Sequence, residues 1–448
     1  MVPRARPTNP VRRHGGAANT AALAALILLA LVLTAAAPRG ARTKRRAVPR
    51  PPRALQALQA RIDAAARGDT IRVAPGVYPG PFRITKPLVL LAEGGAEKTI
   101  LDGRDSVRVL HIEGTNAVSV LGFTIRRGHS NSGGGIYCLR DSTVQIVDCV
   151  FTGNWESAVS IWDSQGIVIG GCTLRENKGS AIDANNSVVA IYESKFYDNE
   201  GHEGGAISLS RTRLLVPLRN LVFERNRAVG SVGGAVCAED SSQGTVVNCS
   251  FKENSSDVAG GAIGISGGSA FNISRSTFEK NQAGAGGAVQ CDHSRMNMGL
   301  CLFNQNSSLA FGAAMGIGGR GMSNINPTLQ SNTFFENHVK GDGATLFFTD
   351  VSPEVRKNIF VVDHGQRAVT GLQTSPRYDC NLIWDPSGGA IGALPSVNTW
   401  VGDPLFCDAE HGNFALRDLS PALRAPCGPI GAFIGKAGCS SFRLQPAN

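Results

Sequence analysis

The sequence is poor in charge: Asp, Glu, Lys and Arg make up 18% of its 448 residues, against about a quarter in an average globular chain. Acid is missing altogether from one end. Residues 1 to 53 contain eleven Lys or Arg and no Asp or Glu, so the net charge of +9 belongs to that end, and the remaining 33 bases and 35 acids leave the rest near −2. No basic face for nucleic acid is therefore expected in the folded part. The eleven cysteines include no Cys-x-x-Cys pair, which removes the usual spacing of a zinc site. Through most of the chain the three- and four-residue apolar spacing of helices is missing too.

What is present in excess is glycine, 54 residues, arranged in a repeat. "FERNRAVGSVGGAV" from Phe223 returns as "FKENSSDVAGGAI" from Phe251 and as "FEKNQAGAGGAV" from Phe278. The pairing of an apolar residue with an Asn three positions on occurs at Phe151, Leu174, Phe196, Phe223, Phe251, Phe278, Phe303 and Phe334, in steps of 22 to 31 residues. Steps of that length suit one coil of a solenoid. Alternating apolar residues make the coils strands. The residue two before each Phe shares its face, and pairs such as Ile136 with Cys138, Val159 with Ile161 and Ile182 with Ala184 form a second inward set.

Stacked coils give the Asn a role. Asn154, Asn177, Asn199, Asn226, Asn254, Asn281, Asn306 and Asn337 are expected to form a ladder, each amide bonding to the coils above and below, with Asn itself taking the left-handed backbone of a sharp corner. The glycine pairs serve the next corner, by positive φ and by close backbone approach. "ALQALQARIDAAA", Ala54 to Ala66, places Leu55, Leu58, Ile62 and Ala65 on one helical face, as a cap for the first coil. Beyond Asp379, Pro, Gly and Cys dominate. The expected fold is all-β: a single-stranded right-handed parallel β-helix of about 10–12 coils over residues 54–379, with an N-terminal capping helix and a loop-rich cap and tail over 380–448.

Residues 1–37 have the form of an export signal or a short N-terminal membrane anchor, with the apolar run Ala21 to Ala37 behind Arg4, Arg6, Arg12 and Arg13. Residues 38–53 read as a basic Pro/Arg-rich linker. An exported chain at the cell surface, outside the cell or in the periplasm is expected, with attachment through residues 21–37 as the alternative to cleavage. Cys149, Cys172, Cys249 and Cys301 all stand two before the Phe or Leu, where other coils use Ser194, Leu221 and Ser276, so they read as inert packing. Cys407, Cys427 and Cys439, outside the coils, are the better disulfide candidates.

The pairing of F-x-x-N with G-G-A-[ILV] resembles the repeats of the chlamydial polymorphic outer membrane proteins. "GDTIRVAPGVYPGPFRI" and "DPLFCDAEHGNFALRDLSPALRAPCGPIGAF" look like the ends of the wider pectate-lyase-like β-helix group. The first resemblance implies a surface adhesin and the second a polysaccharide lyase or hydrolase, in which outward acids and bases of neighbouring coils do the chemistry, often around calcium. By alternation, Tyr137, Ser160, Asp183, Ser208, Cys237, Gly264 and Gln290 form one outward column, with Trp162, Asn185, Glu239 and Asp292 in the next. Tyr137, Trp162, Asp183, Asn185, Glu239 and Asp292 are the candidate ligand-binding residues, aromatic platforms beside carboxylates that suit a sugar ring.

No acid–base constellation stands out in the text of the sequence, and no catalytic residue is assigned. The leading reading is a monomer that binds glycans or another surface component in an adhesive or structural role, without metal or cofactor. The alternative is a lyase or hydrolase of an acidic polysaccharide, with calcium possible. "GISGG" at Gly264 and "GIGGRG" at Gly316 match the nucleophile-elbow and dinucleotide patterns, but neither is followed by the helix those sites need.

Overall fold

The computed structural model describes residues 53–141, 143–319, 326–341, 343–362, 366–388 and 399–432, together with Cys439. The apolar run of residues 21–37 and the linker lie outside the described residues. Among the described residues, no helix is long and apolar enough to cross a membrane.

Each coil contributes one strand to each of three parallel sheets. A representative coil runs through Thr143–Val147 in the first sheet, Val150–Thr152 in the second and Val159–Trp162 in the third, then enters the next coil at Gln165–Gly170. The third sheet has twelve strands, from Phe82–Ile84 to Arg367–Leu372. All its pairings are parallel and in register, as in Val159 to Ile182 and on to Ile207. The helix Arg53–Ala64 opens the fold and buries Leu58 and Ile62 against the first coils.

The repeated Phe forms the core of the second sheet. Phe196, Phe223, Phe251, Phe278, Phe303, Phe334 and Phe360 stack ring on ring, with centroids 4.6 to 4.9 Å apart. That distance is the spacing of adjacent strands, so one residue type at one register position gives a continuous aromatic column. Leu174 interrupts it between Phe151 and Phe196.

The eight asparagines are linked in one buried line. Each Nδ2 donates to the next Oδ1 at 2.8 to 3.0 Å, and the backbone N–H of the same residue shares that acceptor. The second Nδ2 hydrogen goes to a carbonyl one coil back, as from Asn226 to Phe196. One expectation is corrected. The ladder Asn does not take the left-handed conformation; the residue before it does, at φ between 46° and 61° in Gly153, Glu176, Asp198, Arg225, Glu253, Lys280, Gln305 and Glu336. The two demands are split between neighbours: an exposed residue turns the corner, and the buried one satisfies the backbone.

The same division recurs at the other two corners. Between the third and first sheets, a buried polar side chain takes the backbone N–H of the coil before, from Thr115 to Asp141, Asp141 to Ser164 and Ser164 to Ser187, and again from Thr212 through Ser242 and Ser269 to Ser294. Between the first and second sheets, the column of Cys149, Cys172, Cys249 and Cys301 ends in a second ladder, Asn332–Asn358–Asn381. The column cysteines are buried and unbridged, and Cys249 points its thiol at the Leu218 and Val247 carbonyls.

Close backbone approach requires both glycines of the pair: a Cβ on Gly233, which also has φ 74°, would overlap the Val236 carbonyl oxygen, and one on Gly234 the Gly261 carbonyl oxygen of the next coil.

Strands Leu382–Trp384 and Trp400–Val401 carry the second sheet beyond Asp379. The chain then folds back on the outward side of that sheet, where Phe406 and Phe414 meet Phe335 edge-on and Leu416, Ala422 and Ile430 are buried. Two disulfides, Cys380–Cys427 and Cys407–Cys439, hold this segment. The three expected cysteines are all bridged; the fourth, Cys380, lies in the last coil.

Candidate functional site

The outward side of the third sheet carries the charged and aromatic residues that the corners do not use. Strand register sets Arg83 beside His111, His111 beside Tyr137, Tyr137 beside Ser160 and Ser160 beside Asp183. Four steps of strand spacing make this row about 19 Å long. A parallel row runs from Glu113 through Leu139, Trp162, Asn185 and Ser210 to Glu239.

At the N-terminal end the row is cationic. The Arg108 guanidinium lies 4.4 Å over the Tyr137 ring and donates to the carbonyls of Gly133 and Ser132 and to the Ser130 hydroxyl. All three acceptors are uncharged, so among the described residues the cation is held without a carboxylate partner. Burial lowers the pKa of Arg108, and it raises that of Tyr137. The His111 ring sits 5.3 Å from Tyr137, and Nε2 lies 3.7 Å from a Glu113 carboxylate that Arg83 and Arg140 also engage. Burial, with the nearby Arg108 charge, moves the His111 pKa down and keeps the ring neutral. A cleft of about 540 Å³ opens here, lined by Arg83, Arg108, His111 and Phe82, and by Gln59 and Asp63 of the capping helix.

Two coils further the character changes. Trp162 Nε1 donates to Ser160 Oγ at 3.0 Å, and Ser160 Oγ lies 3.5 Å from Asp183 Oδ2. Burial, and then the neighbouring Glu203, push Asp183 up to about 6. Burial and the neighbouring Glu203 charge likewise raise Glu239 to about 7. Asn185 Oδ1 accepts from Arg211 Nη2 at 2.8 Å, and that guanidinium also approaches Asp240. Glu203 thus acts on both Asp183 and Glu239, carboxylates two coils apart, with Trp162 and Arg211 nearby, an arrangement able to hold a carboxyl protonated near neutral pH.

The structure brings Tyr137, Trp162, Asp183 and Asn185 together within three coils and joins Glu239 to them through Glu203. Asp292 stands apart, four steps beyond Asp183 in register, and its carboxylate is held by Gln290 Nε2 at 2.9 Å. Sequence reading missed Arg83, Arg108 and His111, which precede the first F-x-x-N match, and Glu203 and Arg211, which lie in a loop and at a corner. Extending the column one coil back from Tyr137 would have reached His111, and a second coil Arg83. No group of three or more metal-binding side chains is found among the described residues.

A family model described as the right-handed beta helix region matches residues 107–251 and 219–375. No curated protein matches the chain. Among solved structures, the chain is similar to a PL6 family alginate lyase, AlyGC, at 12% identity and TM-score 0.48, over 78% of this chain and 53% of that one. It is similar to the A-module of the Azotobacter vinelandii mannuronan C-5 epimerase AlgE6 at 12% identity and TM-score 0.45, over 78% and 95%. The tailspike protein of E. coli bacteriophage HK620, solved with a pentasaccharide, matches at 13% identity and TM-score 0.39, over 78% and 74%. The match spans about half the length of the first of these, and at such identities the likeness is one of fold.

Proposed function

The chain belongs to the right-handed β-helix family, and from that premise we propose that it binds an acidic polysaccharide along the outward face of its third sheet, on the outside of the cell. The observation that carries the reading is Arg108, a half-buried guanidinium laid on an aromatic ring and paired with no carboxylate among the described residues. An uncompensated cation beside Tyr137, Arg83 and a roomy cleft suits a sugar ring bearing a carboxylate or sulfate. The basic and apolar N-terminal segment and the two disulfides support an exported setting.

The test is retention of the full-length protein on immobilised polygalacturonate, alginate and hyaluronan, with dextran as the neutral control. Arg108→Ala is expected to abolish retention on the acidic polymer that binds. Equal retention on dextran, or retention unchanged in the variant, overturns the reading.

A second reading, cleavage of the bound chain, is favoured by Asp183 and Glu239. Glycoside hydrolysis needs one carboxyl that keeps its proton near neutral pH and one that has lost it, and burial with the Glu203 charge raises both of these carboxyls toward that range. Release of reducing ends or unsaturated product from the bound polymer, lost in Asp183→Ala and Glu239→Gln, would establish it. Binding without product in the unmodified protein would refute it.

A further inference from the structure

The same face carries an aromatic pair far from the cationic cleft. Phe347 lies on the outward row eight register steps from Tyr137, about 38 Å at strand spacing. Phe311, 49% exposed, stacks on it at 4.7 Å and 27°. Leu309, in the same strand as Phe311, is also exposed. The stacked Phe column of the core is fully enclosed; this pair is not.

What lies beside the pair gives it chemistry. The row residue next to Phe347 is Gly316, and the next one beyond it is Gln290. A Cβ on Gly316 would overlap Gln290 Oε1, so the carboxamide lies flat across the glycine toward the rings. In the neighbouring row Gly318 makes the same allowance for Asp292, whose Oδ1 would sit 2.6 Å from a Cβ there, with Thr349 on the other side. The "GIGG" stretch that resembles a dinucleotide motif therefore serves to let two polar side chains lie down beside two aromatic rings. Gln290 Nε2 spends its hydrogens on both Asp292 oxygens, while Gln290 Oε1 is buried and has no hydrogen-bond partner. The surface presented is a ring face bordered by two acceptors, the Asp292 carboxylate that Gln290 holds in place and the Thr349 hydroxyl.

No Lys or Arg stands on these two rows from Gln290 to Thr370 or from Asp292 to Leu372. A ligand here must bring hydrogen-bond donors, one apolar face and no negative charge. We propose that Phe311, Phe347, Asp292 and Thr349, with Gln290 positioning the Asp292 carboxylate, form a second glycan subsite, for an uncharged pyranose whose C–H face covers the rings and whose hydroxyls donate to those two acceptors. The acidic-chain reading at Arg108 is separate from this one, because the two ends of the face have opposite charge preference. If both hold, the ligand is a heteropolysaccharide with acidic and neutral residues.

The experiment titrates full-length protein with maltohexaose, cellohexaose and mannohexaose, read by saturation-transfer NMR and calorimetry. At least one is expected to bind, with affinity about tenfold weaker in Phe347→Ala and Gln290→Ala and retained in Phe347→Tyr. Arg108→Ala should leave this binding unchanged while removing acidic-polymer retention, so failure of either site is read on its own. Absence of binding by all three sugars overturns the proposal. So does equal binding in Phe347→Ala, with its circular dichroism spectrum confirming that the coils are intact.

Discussion

Asn226→Ala tests the ladder where it is continuous on both sides. The Asn226 Oδ1 accepts from the Asn199 backbone N–H at 3.2 Å and from Asn199 Nδ2 at 2.9 Å, while its Nδ2 donates to Asn254 Oδ1 and the Phe196 carbonyl, both at 3.0 Å. Truncation leaves the Asn199 N–H and the Phe196 carbonyl without these partners in a fully buried corner. Asn254 Oδ1 keeps a bond from the Asn226 backbone N–H. At about 1–3 kcal/mol for each orphaned group, with a small cavity added, the cost is about 3–5 kcal/mol. Asn272→Ala is the control, since Asn272 makes a similar amide–amide bond with Asn297 at 3.2 Å in full view of solvent and should cost no more than about 0.5 kcal/mol.

Urea unfolding by circular dichroism gives the global difference, but a solenoid can open coil by coil, so hydrogen exchange over the Asn199 and Asn254 coils is the decisive readout. Asn226→Asp adds a pH dependence of known sign. A carboxyl in that corner is desolvated, and its pKa in the fold rises above the ordinary value. The folded chain then keeps a proton that the unfolded chain releases, so the variant loses stability as pH rises and regains it in acid. If Asn226→Ala behaves like Asn272→Ala, the ladder does not support the corner and the reasoning fails.

Leu174→Phe fills the gap between Phe151 and Phe196, and two new ring contacts should stabilise by about 1 kcal/mol after some overpacking; a loss in urea midpoint would show that the column cannot take the ring. Cys249, its thiol raised by burial to about 12, should resist iodoacetamide at pH 8 until the chain unfolds, and Cys249→Ser should cost less than about 1.5 kcal/mol, because Ser276 occupies the same column; rapid labelling of native protein refutes this. Replacing Asp183 and Glu239 together by Asn and Gln should flatten stability between about pH 4 and pH 7. Both groups hold their protons longer in the fold than when unfolded, so the unmodified protein loses stability as pH rises through that window, and an unchanged melting profile in the variant counts against the cluster. Reduction of Cys380–Cys427 and Cys407–Cys439 should speed hydrogen exchange in residues 403–431 and spare the coils, which follows if those bridges and the Phe335 cluster hold that segment independently.

The coils were legible because every coil repeats the same physical demand. A Phe spaced to stack on the next Phe, and an Asn whose amide meets the next amide, recur at one offset, and the offset is visible in the text. The Ser ladder was overlooked because its residue type varies: Asp141 does with a carboxylate what Ser164, Ser187 and Ser242 do with a hydroxyl, and Thr212 interrupts the line by turning its hydroxyl to the Ala184 and Ser210 carbonyls. Which neighbour turns the corner was misread because Asn is itself suited to positive φ; only the backbone shows Glu, Arg and Lys doing so. The outward column was correct from Tyr137 onward, since alternation fixes it. Glu203 was out of reach, for it enters from a loop whose length differs from coil to coil, and no period locates it.

The scarcity of charge bears on which residues matter. Much of the charge that the coils carry stands at corners and pairs across neighbouring coils, as in Arg225 with Asp198, Lys178 with Glu200 and Arg227 with Asp257. Such exposed pairs contribute little to stability, but they keep the turning residue soluble and the stack in register. The third sheet's outward rows follow a different rule. There Arg83, His111 and Asp183 stand mid-strand and Glu113, Glu239 and Asp292 at strand ends, where Ser, Gly and Thr would complete the sheet without a charge. Among the described residues no carboxylate pairs with Arg108, and Glu239 feels the charge of a second glutamate, Glu203. A fold that places its other charges so sparingly has no structural need for these, and Arg108, His111, Asp183, Glu239 and Asp292 are held at a cost in burial. That cost is why this face, and not the repeated corners, is where a ligand is to be sought.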